Sequence, residues 1–209
     1  MKKILFDLDG TLTDSGEGIM HCTELTLAHY HLPIPTRTEM RSIVGPPLKD
    51  SFLRYGIPVA ELDNAVEFYR RHYLDVGQFE NIPYAGIETL LKRLKDDGHS
   101  LYVATSKPET MAQNILHHFN LDTYFTIICG AVSDARRNTK EQVIEHLLSL
   151  LDNKENLVMV GDTIYDVRGA AYHGIPTVAV TWGYGVVEDM QNAGATIVSS
   201  MDELYQALK

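Results

Sequence analysis

Cysteine is scarce. Among 209 residues there are two, Cys22 and Cys129, and no C-x-x-C. That count and spacing argue against a disulfide scaffold and against a thiolate metal cluster. Long apolar runs are missing as well. Met1-Lys2-Lys3-Ile4-Leu5-Phe6 begins like a signal peptide, but Asp7 and Asp9 interrupt it before an apolar stretch of about 7–15 residues can form. Nothing approaches the length of a membrane span. The glycines follow neither G-x-G-x-x-G nor a P-loop pattern, so nucleotide binding by those devices is unsupported. No internal repeat or low-complexity segment occurs. Basic residues are in deficit: 18 Lys+Arg against 28 Asp+Glu give a formal net charge of -10. Nucleic-acid backbones and anionic membranes both need a basic face, so neither is expected as a partner. The expectation is a reduced, cytoplasmic protein with no targeting segment, and a monomer by default.

What is present is an ordinary globular composition, 44% hydrophobic and 22% charged. The length suits one domain with an insertion, or two small domains. Short apolar runs rich in β-branched residues recur at Lys3 to Leu8, Leu101 to Thr105, Phe125 to Cys129, Leu157 to Val160, Thr177 to Thr181 and Thr196 to Val198. Such runs fit strands buried on both faces, as in a parallel sheet. Helical patterns lie between them. Ile87, Leu90, Leu91 and Leu94 share one face, as do Val143, Ile144, Leu147, Leu148 and Leu151. Thr139 with Gln142 reads as a capping box, and Gly98 and Gly174 fall where helices should stop. The alternation predicts an α/β fold with a doubly wound parallel sheet. From about Ser15 to Glu80 no strand is expected. Helical patterns dominate there, the clearest being Leu62, Val66, Tyr69, Tyr73 and Val76, with breakers at Pro33, Pro35, Gly45-Pro46-Pro47, Gly56 and Pro58. The predicted organisation is a core domain of residues 1–14 and 81–209 with a helical domain inserted at 15–80. An insertion after the first strand belongs at the carboxyl edge of the sheet, where α/β folds bind ligands and where it can act as a lid.

Chemistry gathers at predicted strand ends. In Asp7-Leu8-Asp9-Gly10-Thr11, two carboxylates two residues apart leave a buried strand on the same side. That is costly unless something compensates them, most simply a divalent cation such as Mg2+ held by oxygen ligands. Asp7 could then serve as a nucleophile and Asp9 as a general acid and base. Alone, the segment also reads as a strand end with an Asp-Gly turn. A second acid pair, Asp162 and Asp166, follows the run Leu157 to Val160 and could complete an oxygen-ligated site; alone it reads as a helix cap with a solvated partner. Thr105 and Ser106 after a strand, opening a helix, would suit a phosphate, or be an ordinary N-cap. Lys140 at a helix start gains nothing from the helix dipole; a bound phosphate would justify it, and a solvated lysine is the alternative. Histidines His21, His29, His117 and His118 do not make a zinc site.

Taken in order, Asp7-x-Asp9-Gly10-Thr11, Thr105, Lys140 and Gly161-Asp162-x-x-x-Asp166 resemble the four motifs of the haloacid dehalogenase-like (HAD) hydrolase superfamily, over essentially the whole chain. The inserted segment resembles its small α-helical cap. The Asp-Gly-Thr-Leu-Thr-Asp-Ser opening and Trp182-Gly183-Tyr184-Gly185 resemble the phosphoglycolate phosphatase-like branch. The resemblance implies an Mg2+-dependent phosphatase acting on a small phosphorylated metabolite. Asp7 would become phosphorylated, and Asp9 would protonate the leaving oxygen and then activate water. Thr105, Lys140 and the Ser106 amide would hold the phosphoryl group; Asp7, the Asp9 carbonyl and Asp162 would hold Mg2+, supported by Asp166. Possession of Asp9 favours phosphoester chemistry over dehalogenation. A β-phosphoglucomutase-like mutase is the alternative; a non-catalytic phosphate-binding protein is disfavoured by the intact motifs. Lys49 and Arg41 in the inserted segment are the candidates for substrate selection, and Arg136 and Arg137 could touch an anionic leaving group.

Overall fold

A computed structural model describes residues 1–132 and 137–209, so Arg136 lies outside the described residues. Eight strands occur among the described residues: β1 (Lys3–Phe6), β2 (Thr13–Asp14), β3 (Ile82–Pro83), β4 (Ser100–Pro108), β5 (Ile127–Ala131), β6 (Leu157–Gly161), β7 (Thr177–Val180) and β8 (Thr196–Val198). Six form one sheet in the order β5-β4-β1-β6-β7-β8, with every neighbouring pair parallel. The other two, β2 and β3, pair separately. The helices are α1 (Gly16–His29), α2 (Arg37–Met40), α3 (Leu48–Arg54), α4 (Leu62–His72), α5 (Ile87–Asp96), α6 (Glu109–His118), α7 (Lys140–Ser149), α8 (Ile164–Tyr172), α9 (Val187–Asn192) and α10 (Met201–Leu208). None is long and apolar enough to cross a membrane.

Contacts divide the chain into two compact units, one of Met1–Thr13 with Pro83–Lys209 and one of Asp14–Ile82. The first is the α/β unit. Strand alternation sends Ile4 and Phe6 to one face of the sheet and Leu5 to the other. The first face packs under Leu90, Leu91 and Leu94 of α5, Ile115 of α6 and Leu204 of α10. The second packs under Val143, Ile144 and Leu147 of α7 and Ala170 of α8. Helices on both faces make the sheet doubly wound, as the alternation predicts. The Thr139–Gln142 capping box forms at the start of α7. Gly98 and Gly174 end their helices in left-handed geometry.

Strand limits at β1, β6 and β7 differ from the sequence reading by one or two residues, and those of β5 and β4 differ more. The run Phe125 to Cys129 is paired only from Ile127 and continues to Ala131, because Tyr124 and Phe125 still belong to a helical turn and its exit. The run Leu101 to Thr105 extends to Pro108, so α6 opens at Glu109 and not at Ser106.

The second unit is helical. Val66, Tyr69 and Tyr73 are buried as their spacing predicts, but Val76 is exposed. A π-helical turn over Tyr73–Gly77 rotates the stripe, placing Gly77 inward in its stead.

Candidate active site

The site is built within the α/β unit, where β1, β4 and β6 end together. Asp7 follows β1 and extends its pairing, its N–H donating to Val160 O at 2.9 Å. The chain then turns tightly: the N–H groups of Leu12 and Thr13 donate to Leu8 O at 2.9 and 3.1 Å. Gly10 adopts φ +79° in this turn, and a Cβ there would lie 2.1 Å from Asp162 Oδ2. Glycine is thus required both for the left-handed backbone and for the close approach of a carboxylate.

Carboxylate oxygens of Asp7, Asp162 and Asp166 lie within 4.8 Å of one another, and all three residues are buried. Each is held differently. Asp7 Oδ1 accepts from Leu8 N at 2.8 Å and pairs with Lys140 Nζ at 2.8 Å. Among the described residues nothing hydrogen-bonds its other oxygen, Oδ2. Asp162 Oδ1 accepts from Thr11 Oγ1 at 3.1 Å and its Oδ2 from Tyr184 N at 2.8 Å. Asp166 Oδ2 accepts from Thr163 N and Oγ1 at 3.0 and 2.9 Å, and its Oδ1 pairs with Lys140 at 2.8 Å. The N-cap of α8 is Thr163, so Asp162 is not a helix cap and Asp166 is not solvated.

Lys140 is not a solvated lysine. Its side chain is 3% exposed, and its Nζ donates to Ala104 O at 2.9 Å besides meeting Asp7 and Asp166. The ammonium thus donates to one carbonyl and lies in ion-pair contact with two carboxylates. Burial alone would lower its pKa, but Asp166 and Asp7 reverse that and raise it, keeping the charge on. Burial pushes the Asp7 carboxyl up to about 6; Lys140 opposes the shift and Asp166 reinforces it. Asp162 is raised well above the ordinary range, first by burial and then by Asp166 and Asp7.

Asp9 stands apart from the three-carboxylate cluster. Both its oxygens meet Lys107 Nζ, at 2.9 and 2.8 Å. The two lysines therefore compensate the Asp7-x-Asp9 pair, one lysine to each acid, a solution the sequence reading did not include. Thr105 is buried and its Oγ1 accepts from Lys107 N at 3.2 Å. Ser106, between them, is exposed: in an extended strand it faces the side opposite Thr105 and Lys107. Arg137 pairs with Glu109 at 2.6 Å. Lys49 and Arg41 belong to the helical unit and are exposed; Lys49 pairs with Asp63 at 2.5 Å.

The donor set fits a hard cation. Three buried carboxylates with one ammonium leave a net double negative charge, and oxygen ligands of that kind suit a small divalent ion. The raised carboxyls of Asp7 and Asp162 are those expected of acids that ionise fully only when such a charge joins them.

Comparison with known proteins agrees with this architecture. A family model described as haloacid dehalogenase-like hydrolase matches residues 4–180. The chain is 41% identical to the tyrosine-protein kinase PtkA of Mycobacterium tuberculosis over 209 residues, covering 98% of this chain and 72% of that protein. It is 39% identical to a 5'-nucleotidase of Pseudomonas aeruginosa over 193 residues, covering 90% and 86%. A crystal structure titled "predicted phosphatase" from Clostridium acetobutylicum superposes with a TM-score of 0.93 at 42% identity, covering 99% of this chain and 97% of that one.

Proposed function

The chain belongs to the haloacid dehalogenase-like hydrolases, and on that premise we propose that it is an Mg2+-dependent phosphatase that hydrolyses a small phosphate monoester through an aspartyl-phosphate. The observation that carries the reading is the treatment of Asp7. One oxygen is fixed by Leu8 N and Lys140 while Oδ2 takes no hydrogen bond among the described residues, in a pocket where buried carboxylates call for a cation. Asp7 Oδ2 attacks phosphorus in line with the departing oxygen. Asp9 gives that oxygen a proton, then takes one from the water that cleaves the aspartyl-phosphate. Thr105 and Lys140 position the phosphoryl oxygens, with the Ser106 amide as a further donor. Asp7, the Asp9 carbonyl and Asp162 would hold Mg2+, and Asp166 serves by fixing Lys140. The cation supplies charge neutralisation for the phosphoryl group.

The leaving group is proposed only by class: phosphoglycolate-like, nucleoside monophosphate or aryl phosphate, with Lys49 and Arg41 as selecting residues. Cys22 and Cys129 are buried thiols whose pKa values burial pushes up to about 12 and about 11, and inert thiols of this kind support a cytoplasmic setting. The kinase name among its relatives keeps a second acceptor in view, whereas the nucleotidase name fits transfer to water. A mutase or kinase would use the same aspartyl-phosphate and deliver it to a hydroxyl in place of water.

The test is p-nitrophenyl phosphate with Mg2+. Turnover is expected, and EDTA or Asp7→Asn should abolish it; turnover that persists in either sinks the mechanism. Rapid conversion of glucose 1-phosphates to the 6-phosphate with little free phosphate would favour the mutase.

A further inference from the structure

We infer that Lys107 is a positioning residue for Asp9, fixing its carboxyl group for proton transfer to the leaving oxygen; this rests on the reading of Asp9 as general acid. Lys107 has a side chain only 6% exposed and Asp9 one of 18%. The ammonium spans both carboxylate oxygens, at 2.9 and 2.8 Å, and so sets the plane of the carboxyl group as well as its position. Each oxygen keeps a further lone-pair direction for a second partner.

The lysine itself is carried on a fixed backbone. β4 runs through it, its N–H donates to Thr105 Oγ1 at 3.2 Å, and a Cβ at Gly130 of β5 would lie 2.6 Å from Lys107 O. Placement also argues against mere charge balance. The excess negative charge lies with Asp7, Asp162 and Asp166, yet Lys107 serves the one acid outside that cluster.

In the step concerned, the Asp7–phosphorus bond forms as the bond from phosphorus to the leaving oxygen breaks. The proton on one Asp9 oxygen passes to the leaving oxygen, and Asp9 is left as a carboxylate facing the Lys107 ammonium. In kcat/KM, which reports the steps up to formation of the aspartyl-phosphate and not its hydrolysis, loosening Asp9 should therefore matter only where the leaving oxygen needs a proton.

The experiment compares kcat/KM, in Mg2+, for an alkyl ester (β-glycerol phosphate) and for 2,4-dinitrophenyl phosphate, whose leaving group departs without a proton. Lys107→Met is expected to lose about 30- to 100-fold on the alkyl ester and less than about threefold on the dinitrophenyl ester. Lys107→Gln, which keeps a donor without charge, should show the same selectivity at reduced size. It is scored alone if the Met variant does not fold, as judged by circular dichroism. Equal losses on both esters, or none, overturn the inference. Asp9→Asn separates the two levels. If its loss is also concentrated on the alkyl ester while that of the Lys107 variants is not, Lys107 does not position Asp9. If the Asp9→Asn loss is uniform, the general-acid reading falls and the inference with it.

Discussion

Replacing Asp7 by asparagine should stabilise the metal-free protein while destroying its activity. Burial raises the Asp7 carboxyl from 3.8 to about 6, against the pull of Lys140. An acid whose folded pKa is raised binds its proton more tightly when folded, so folding stability falls as pH climbs. The penalty is absent below the unfolded value of 3.8, grows through the interval up to about 6 and is constant above it. A shift of about two units corresponds to about 3 kcal/mol. In EDTA at pH 8, Asp7→Asn should therefore melt about 6–12 °C above wild type, taking about 2–4 °C per kcal/mol for a chain of this size. At pH 4 the gap should shrink to about 1–2 °C, since the unfolded carboxyl is then only partly ionised. Mg2+ at about 100 times its Kd should add about 3 kcal/mol to wild type and little to the variant, closing the gap. The assay is thermal unfolding of both proteins across pH 4–8 with EDTA or Mg2+. The difference between the two curves reports Asp7 together with the groups it is coupled to, Asp162 and Lys140, and cancels the titrating groups remote from the site. A variant that melts at or below wild type at pH 8 in EDTA, or a gap that does not shrink with acid, refutes the electrostatic account of the site.

Two further outcomes follow from neighbouring residues. Lys140→Met leaves Asp7 and Asp166 without their shared counter-charge and should lower stability at pH 8 by about 3–5 kcal/mol, read by urea unfolding; a loss under about 1 kcal/mol would mean that other groups already compensate the acids. Gly183→Ala would put a Cβ 2.2 Å from Asp162 Oδ2, so that carboxylate must move. Mg2+ affinity, from titration of activity, should fall about tenfold or more, and an unchanged affinity would count against Asp162 as a ligand.

The order of elements in the α/β unit was legible because buried parallel strands show as short apolar runs. Both sheet faces could be read from α5 and α7, whose stripes pack as their spacing implies. The acids could be found from sequence because carboxylates seldom end buried strands in pairs. Lys107 was missed, although a signal existed. Thr105 and Lys107 are two apart, and on a strand they share a side; expecting a helix to open at Ser106 concealed that alternation. Lys140 stood out in the sequence, but its partners did not. Only the fold brings Ala104 O, Asp7 and Asp166 around one ammonium. The π-helical turn after α4 was invisible because an extra residue per turn leaves no mark in a pattern of apolar spacing.

The place of β1 has a bearing on how the molecule comes to exist. Lys3 is paired with Ser100 on one side and Leu157 on the other, so β1 is flanked by strands made much later than itself. Asp14–Ile82, which forms a compact unit, can gather earlier, whereas β1 waits with both edges open. An interrupted chain ending before β6 would retain one such edge, a template for pairing with other chains. The carboxylate site inherits the same schedule. Asp7 is made well before Asp162, Asp166 and the Tyr184 amide that anchors Asp162. The cluster of Asp7, Asp162 and Asp166 is therefore assembled only after the strands on both sides of β1 have been made.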